Sequence, residues 1–292
     1  MLFTGTGVAI ITPFKNDKTV DFNALQRIIH HCIGGQVDYF VVLGTTGEPI
    51  TLNYSEKADI VRCVVETVAG RVQTVVGVAG NDTAKVIDDI KHTDFKGISG
   101  LLSVTPYYNK PSQSGLIEHF KNVATASPVP VILYNVPGRT GINMTAETTL
   151  MLAHDVENIV AVKEASGNLT QIMQIIKGRP DHFSVISGDD AISLPMISVG
   201  CQGVISVAAN AFPREISTII RQSLENHYSE AQNAQYKIFN LFDLLFVEGS
   251  PSGIKAALHI LGLSQNVLRL PLVPVSQITY QKIEKFIQEF KF

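Results

Sequence analysis

Cysteine is scarce in this sequence and widely spaced. The three residues Cys32, Cys63 and Cys201 include no Cys-x-x-Cys pair. Disulfide scaffolds need a denser set of cysteines, and zinc sites need cysteine or histidine pairs at short spacing. We therefore expect no disulfide framework and no metal site of this kind, and the free thiols favour a reducing compartment, the cytoplasm.

Charged residues are also few. They make up 17% of the 292 residues, against about 25% in typical globular chains, while hydrophobic residues make up 45%. The net charge is −3, and the basic residues form no cluster that would bind a phosphate backbone or an anionic lipid surface. The composition predicts a large hydrophobic core and argues against disorder and nucleic-acid binding.

Long apolar runs are absent as well. No stretch approaches the roughly 18 uninterrupted apolar residues of a membrane-spanning helix. The opening MLFTGTGVAIITPF has neither the basic segment nor the long apolar segment of a secretory signal. We expect a cytoplasmic protein that does not associate with membranes.

The chain does have a regular alternation of two kinds of segment. Short runs rich in β-branched residues recur eight times, each followed by a longer segment of helical period. This pattern predicts a (β/α)8 TIM barrel. The alternative, a doubly wound sheet, usually has fewer strands and a glycine-rich phosphate loop after the first one, where this chain has TPFKND. The predicted strands cover 7–13, 39–44, 73–79, 100–106, 129–136, 158–165, 183–188 and 203–210.

The strand pattern stops before the end of the chain. We assign residues 1–227 to a barrel catalytic domain and 228–292 to a small C-terminal helical appendage. Three segments of the appendage have helical period, and 269–275 is a proline-punctuated connector. Within the barrel, Ser55 and Ser112 are predicted to cap the helices that follow strands 2 and 4.

One lysine stands inside a predicted strand, in NIVAVKEASGN (158–168). If Val160 and Val162 face the surrounding helices, Ala161 and Lys163 face the barrel interior. Lys163 would then lie near the C-terminal end of its strand, where barrel enzymes build their active sites. Loss of hydration disfavours the ammonium there, and a neutral amine can form a Schiff base with a carbonyl. The lysine alone is equally compatible with a buried ion pair, although the pleat turns Glu164 to the opposite face.

Polar side chains are predicted at the same end of neighbouring strands. Each has an ordinary structural explanation by itself, as a turn, rim or surface residue. Their convergence on the end that carries Lys163 favours a catalytic site. The residues are Thr45 and Thr46 in GTTGE, Tyr107 and Tyr108 in TPYYNKP, and Tyr134 and Arg139 in YNVPGRTG.

These motifs, followed by VKEASGN and SGDDA, are similar in kind and order to those of the dihydrodipicolinate synthase and N-acetylneuraminate lyase family of pyruvate-dependent class I aldolases. The resemblance extends from FTGTGVAIITPF to LFVEGSPSGIKAAL. It implies an enzyme that condenses pyruvate with aspartate semialdehyde on the route to diaminopimelate and lysine. It also implies a covalent Schiff base with no metal or other cofactor, and a homotetramer made of two tight dimers.

The resemblance further implies individual roles. Lys163 would form the Schiff base with pyruvate, and Tyr134 would move protons to and from the adduct. Thr45 and Tyr108 would complete a proton relay, with Tyr108 supplied by the neighbouring subunit. Arg139 would bind the carboxylate of the second substrate, and Thr46 that of pyruvate. Backbone groups near the lysine would come from Gly188 and Ile205.

Two residues bear on the choice of reaction. By the same resemblance, lyases acting on sialic acid generally lack an arginine at position 139 and have serine at position 45. The alternatives are a pyruvate-releasing aldolase acting on a 2-keto-3-deoxy sugar acid or N-acetylneuraminate, and a barrel that binds pyruvate without turnover. The acidic turn SGDDA argues against a phosphate site after strand 7. Asp189 and Asp190 are compatible with metal binding, but helix N-capping is the favoured interpretation.

Many members of this family are inhibited by lysine, which binds at the tight-dimer interface. The corresponding pocket would include Asn81 and Tyr107, which fit the family pattern. Lys85 replaces an acidic residue there, and Lys57 adds a second cation, so a cationic ligand should bind poorly. We expect little or no inhibition by lysine. The other departures from the pattern are Pro49, Ile50 and Tyr54.

Overall fold

In the computed structural model, the structure describes residues 1–290. These residues form a closed barrel of eight parallel strands, each paired with its neighbours in chain order. The prediction of a (β/α)8 barrel is confirmed, and a doubly wound sheet is excluded. The strands are β1 (Gly5–Ala9), β2 (Tyr39–Val42), β3 (Gln73–Gly77), β4 (Gly100–Val104), β5 (Val131–Asn135), β6 (Ile159–Glu164), β7 (Ser184–Ser187) and β8 (Gly203–Ser206).

The first and last strands end earlier than predicted. β1 stops at Ala9, and a short 3₁₀ helix, Ala208–Asn210, follows β8. The side chain of Asn210 accepts a hydrogen bond from the backbone N–H of Ile11 (3.1 Å) and donates one to the carbonyl of Ala9 (2.9 Å). These bonds join the two segments beyond the point where the ladder of β1 and β8 ends, although the segment after β1 is β-branched and apolar in sequence.

Helices surround the barrel, and one of the two predicted N-cap residues is correct. The predicted cap Ser112 is confirmed, since its hydroxyl accepts a hydrogen bond from the N–H of Gly115 (3.2 Å). The predicted cap Ser55 is wrong, because Asn53 and Glu56 form a reciprocal capping box that starts the helix two residues earlier. The helices are α1 (Phe22–Gly34), α2 (Tyr54–Val68), α3 (Thr83–Lys91), α4 (Gln113–Ala126), α5 (Pro137–Thr140), α6 (Ala146–Asp155), α7 (Leu169–Gly178), α8 (Ser193–Ser198) and α9 (Pro213–Leu224).

The interior of the barrel is a packed core, separate from the larger core between the strands and the helices. Near the N-terminal ends of the strands, the rings of Phe3 and Tyr39 fill it, with centroids 5.9 Å apart. Gly7 makes room for Tyr39, since a Cβ at this position would lie 2.3 Å from the tyrosine ring. The interior is therefore closed at this end of the strands.

β6 contains one extra residue relative to β5. Val131 pairs with Ile159, but the next residue of β5, Ile132, pairs with Ala161. Val160 is the unpaired residue of this bulge and packs against the inner cluster together with Ala161. The expectation that Val160 faces the helices is therefore wrong, whereas Val162 does pack in the outer core.

Three further helices follow the barrel: α10 (Tyr228–Phe246), α11 (Ser252–Ile260) and α12 (Gln277–Glu289). α11 is buried from Ser252 to Leu258. Gly253 permits this packing, because a Cβ there would lie 2.4 Å from the carbonyl oxygen of Leu245 in α10. The division of the chain at residue 228 remains a prediction, and its end at 291–292 lies outside the described residues. No helix within 1–290 is long and apolar enough to cross a membrane.

Candidate active site

Lys163 lies inside the barrel beside Tyr134. The two residues are register partners on β6 and β5, and the lysine Nζ lies 4.3 Å from the centroid of the tyrosine ring. Lys163 is 5% exposed. Its aliphatic stem runs against Gly188, where a Cβ would come within 3.0 Å of the lysine Cε. Ile205, on β8, is buried in the same inner cluster.

Glu164 points to the other side of β6 and has its own partners. Its carboxylate accepts hydrogen bonds from the side-chain amides of Asn135 (3.1 Å) and Gln171 (3.1 Å) and from the N–H of Ser166 (2.8 Å). These bonds satisfy a fully buried carboxylate without a cation. Lys163 makes no salt bridge with any carboxylate of residues 1–290. No carboxylate of the described residues therefore supports the interpretation of Lys163 as half of a buried ion pair.

An open cavity of about 830 Å³ adjoins this pair. Tyr134 forms part of its wall, whereas Lys163 does not line it and lies beside the tyrosine ring. Thr45, Tyr107 and Arg139 also line the cavity. The cavity thus has hydroxyls and a guanidinium on its walls close to the buried amine, and it continues outward between α2 and α3, where Val65 and Asp89 line it.

The turn after β2 carries two of the predicted residues. A 3₁₀ helix, Thr45–Gly47, places Thr45 on the exposed side and Thr46 in the interior. The hydroxyl of Thr12 donates a hydrogen bond to the carbonyl of Gly47 (2.7 Å), which ties the turn to the segment after β1. The turn ends at Glu48, whose φ of 54° is left-handed.

Arg139 lies on α5, on the opposite side of the cavity mouth. Its side chain is exposed, and Nη2 makes a long hydrogen bond of 3.5 Å to the carbonyl of Ser250. A guanidinium with free donors at the rim is suited to bidentate binding of a carboxylate.

The loop after β4 projects from the rim. Tyr107 lines the cavity, but Tyr108 is 89% exposed with a left-handed φ of 72° and does not line it. The side chain of Asn109 donates to the carbonyl of Asn81 (2.8 Å) and fixes the loop to its neighbour. Within one chain, Tyr108 thus lies outside the cavity that Tyr134 and Arg139 line. Ile50, which lines the cavity together with Tyr107, is also exposed.

The carboxylates of the acidic turn after β7 accept hydrogen bonds from backbone N–H groups. Asp190 is buried and accepts hydrogen bonds from the N–H groups of Val207 (3.0 Å) and Ala208 (2.9 Å), at the start of the 3₁₀ helix after β8. Asp189 accepts from the N–H of Ala191 (2.9 Å). Burial raises the pKa of Asp190. Within residues 1–290, no group of three or more His, Cys, Asp or Glu side chains is arranged to hold a metal ion.

A buried ion pair that was not predicted from the sequence lies beside the site. Glu48 of the GTTGE turn contacts the ammonium of Lys255 in α11, and both side chains are excluded from solvent. The available signal was the lysine within the otherwise apolar stretch GIKAAL of the appendage. Nothing local linked that lysine to the glutamate of a turn so distant in sequence.

Comparison with known proteins agrees with the (β/α)8 barrel and identifies its family. The Dihydrodipicolinate synthetase family matches residues 2–290. A 4-hydroxy-tetrahydrodipicolinate synthase of Parabacteroides distasonis is 50% identical over 285 residues, which are 98% of this chain and 96% of the relative. The chain belongs to the dihydrodipicolinate synthetase family and is an enzyme of that family.

Solved structures are similar over the same length. The dihydrodipicolinate synthase from Aquifex aeolicus has a TM-score of 0.95 at 40% identity, covering 99% of this chain and 98% of that one. The enzyme from Cyanidioschyzon merolae, solved with lysine bound, has a TM-score of 0.94 at 40% identity and covers 98% of each chain. The agreement includes the C-terminal helices as well as the barrel.

Proposed function

We propose that this enzyme condenses pyruvate with L-aspartate 4-semialdehyde to give 4-hydroxy-tetrahydrodipicolinate, the first committed step of diaminopimelate and lysine synthesis. The observation that carries the proposal is the contact between the buried amine of Lys163 and the ring of Tyr134 beside a cavity with Arg139 on its wall. The relatives named above carry the name of the same synthase.

The first half-reaction uses Lys163 as the nucleophile. Its neutral amine attacks the ketone carbon of pyruvate, the carbonyl oxygen leaves as water, and an imine remains. The protonated imine withdraws electrons, so a proton can leave the methyl group and an enamine forms. Tyr134 is the acid and base for these transfers, since its ring contacts the amine.

The second half-reaction uses the aldehyde. The enamine carbon attacks the aldehyde carbon, and the aldehyde oxygen takes up a proton to become a hydroxyl. The amino group of the semialdehyde then attacks the imine carbon, which closes the ring and releases the amine of Lys163. Arg139 binds the carboxylate of the semialdehyde, and Thr46 that of pyruvate. Backbone groups at Gly188 and Ile205 complete the pyruvate site.

The proton relay requires a second copy of the chain. Thr45 and Tyr108 connect Tyr134 to solvent, and Tyr108 comes from the neighbouring subunit of a tight dimer. The exposure of Tyr108 in the single chain supports this arrangement. The same proposal includes a cytoplasmic homotetramer with no cofactor beyond the Schiff base. Sedimentation at assay concentrations would test it, since a monomer with full activity contradicts a relay completed in trans.

Arg139→Ala should separate the two substrates. We expect Schiff-base formation with pyruvate to remain, while kcat/KM for the semialdehyde falls by about 100-fold or more, because a charge-assisted carboxylate contact is lost. Consumption of both substrates is followed in wild type and variant, and borohydride reduction followed by mass spectrometry reports the pyruvate adduct. The matched control is Arg221→Ala, which removes an exposed arginine of α9 whose guanidinium donates a hydrogen bond to the side chain of Gln36.

Two outcomes would contradict the proposed reaction. Undiminished use of the semialdehyde by Arg139→Ala would remove Arg139 from the site. A wild-type enzyme that leaves the semialdehyde untouched, but releases pyruvate from a 2-keto-3-deoxy sugar acid, would identify a sugar-acid aldolase instead.

Lysine should inhibit this enzyme weakly or not at all. The ammonium of Lys85 is bonded within the chain to the hydroxyl of Tyr54 and the carboxylate of Asp89, and these partners raise the pKa of Lys85. Lys57 lies 5.7 Å from the centroid of the same tyrosine ring. A lysine ligand would meet two cations where it needs anions. Initial rates measured across a lysine titration check this, and clear inhibition by sub-millimolar lysine would contradict it.

A further inference from the structure

We propose that Lys255 is a positioning residue for the keto acid: through its ion pair with Glu48, it holds the Thr45–Thr46 turn in the shape that binds pyruvate. The inference rests on the proposed function, because it concerns the affinity of that same site. It assigns the C-terminal helices a part in substrate binding.

The ion pair is fully enclosed. The side chain of Lys255 is 0% exposed and that of Glu48 is 1% exposed. The lysine Nζ also donates a hydrogen bond to the carbonyl of Val267 (3.0 Å) and lies 4.2 Å from the centroid of the Phe14 ring. Removing either side chain leaves the other charge buried without this partner, which is strongly unfavourable, so the two side chains hold each other in place.

Glu48 transmits this constraint to the turn. It is the residue at which the 3₁₀ helix Thr45–Gly47 ends, and its N–H donates to the carbonyl of Thr45 (3.2 Å). Its backbone is left-handed (φ 54°, ψ 42°), a conformation that residues with a side chain rarely adopt unless their surroundings impose it. The anchored carboxylate supplies such a constraint. Release of the carboxylate frees the turn to relax and to move Thr45 and Thr46.

The segment around Lys255 contacts both sides of the cavity mouth. The N–H of Arg269 donates to the second oxygen of Glu48 (3.3 Å), and the guanidinium of Arg269 binds Glu56 and the carbonyl of Thr51. On the other side, the carbonyl of Ser250 accepts the bond from Arg139. The C-terminal region, through α11 and the connectors on either side of it, therefore contacts the turn proposed to bind pyruvate and the arginine proposed to bind the aldehyde.

The protonation of Lys255 offers a readout specific to this pair. Burial lowers the pKa of Lys255 to about 8, with Glu48 opposing the change and Arg269 and Lys18 adding to it. These are the charged groups that face the amine from the turn after β2, from the connector before α12 and from the loop after β1. Because the amine loses its proton above pH 8, the ion pair is lost there. The KM for pyruvate should rise through this range in the wild type.

The test uses Lys255→Met, which keeps the length of the side chain without its charge, and Glu48→Gln, which keeps its shape. We expect the half-saturating pyruvate concentration, measured by borohydride trapping on Lys163, to rise about 10- to 100-fold in each. Trapping at saturating pyruvate should still be complete. In steady-state assays, the KM for pyruvate should change more than kcat. The rise of KM above pH 8 should be absent from both variants.

Ile254→Val is the matched control. It shortens a fully buried neighbour of Lys255 on α11 that packs in the outer core, so it loosens the helix without touching the ion pair. Its half-saturating pyruvate concentration should equal that of the wild type although its Tm falls. If Lys255→Met does not fold, Glu48→Gln carries the test.

Three results would be adverse, and they can be told apart. Wild-type half-saturation in the ion-pair variants overturns the inference. The inference is also overturned if Ile254→Val, at a comparable loss in Tm, shows an equal rise in the half-saturating pyruvate concentration, because the effect would then come from general loosening of the helix. Failure of the wild type to form any pyruvate adduct on Lys163 overturns the proposed function itself.

Discussion

Replacing Lys163 by methionine should abolish turnover, with kcat/KM reduced by at least about four orders of magnitude. Methionine fills the space beside Gly188 and the Tyr134 ring but has no lone pair that can form an imine with pyruvate. The measurement is the steady-state rate together with the mass of the protein after pyruvate and borohydride. The adduct seen in the wild type should be missing from the variant.

Lys177→Met is the control for Lys163→Met. Lys177 is an exposed lysine on α7, so the same substitution should leave both the rate and the adduct unchanged. If Lys163→Met keeps substantial activity, or if the adduct maps to another lysine, the nucleophile has been assigned to the wrong residue. The packed position of Lys163 against a glycine would then need a purely structural explanation.

Replacing Tyr134 by phenylalanine should lower kcat by about 100- to 10,000-fold, the usual contribution of a positioned acid and base. The ring that contacts Lys163 is kept, so only the hydroxyl is lost. Pyruvate trapping should become slow while its end point is retained. Stopped-flow or quenched trapping, compared with kcat, measures the two effects separately.

Tyr39→Phe provides a control in the same barrel interior. Tyr39 is fully buried near the opposite end, its hydroxyl has no hydrogen-bond partner within the described chain, and burial raises its pKa. Loss of an unsatisfied hydroxyl should be neutral or stabilising and should leave kcat unchanged. If Tyr134→Phe behaves like Tyr39→Phe, the proton passes through another group.

The sequence was sufficient for the order and approximate position of every strand, because each parallel strand is buried on both faces and reads as an apolar run. It was insufficient for their ends. Ile10 and Ile11 continue the pattern of β1, yet the N–H of Ile11 bonds to the side chain of Asn210 instead of a strand. Such a bond depends on which residue tertiary structure brings alongside, and periodicity carries no information about it.

Some features of the candidate site were likewise predictable from the sequence, and others were not. Lys163, Tyr134 and Arg139 were predictable because each follows or ends a strand, and a barrel gathers strand ends at one face. The bulge at Val160 and the ion pair between Glu48 and Lys255 were not predictable. The bulge depends on the pairing of two neighbouring strands, and the ion pair on the docking of a helix outside the barrel.

The bulge in β6 shows that strand pairing, as well as residue identity, decides which chemistry this barrel presents. If Val160 paired with Ile132 in a regular ladder, every later residue of β6 would shift by one, so Lys163 would lie beside Asn135, outside the barrel, and Glu164 would turn toward the interior. The same amino-acid sequence would then present a carboxylate to pyruvate in place of an amine. The bulge at Val160 is therefore as necessary to the proposed chemistry as the lysine itself.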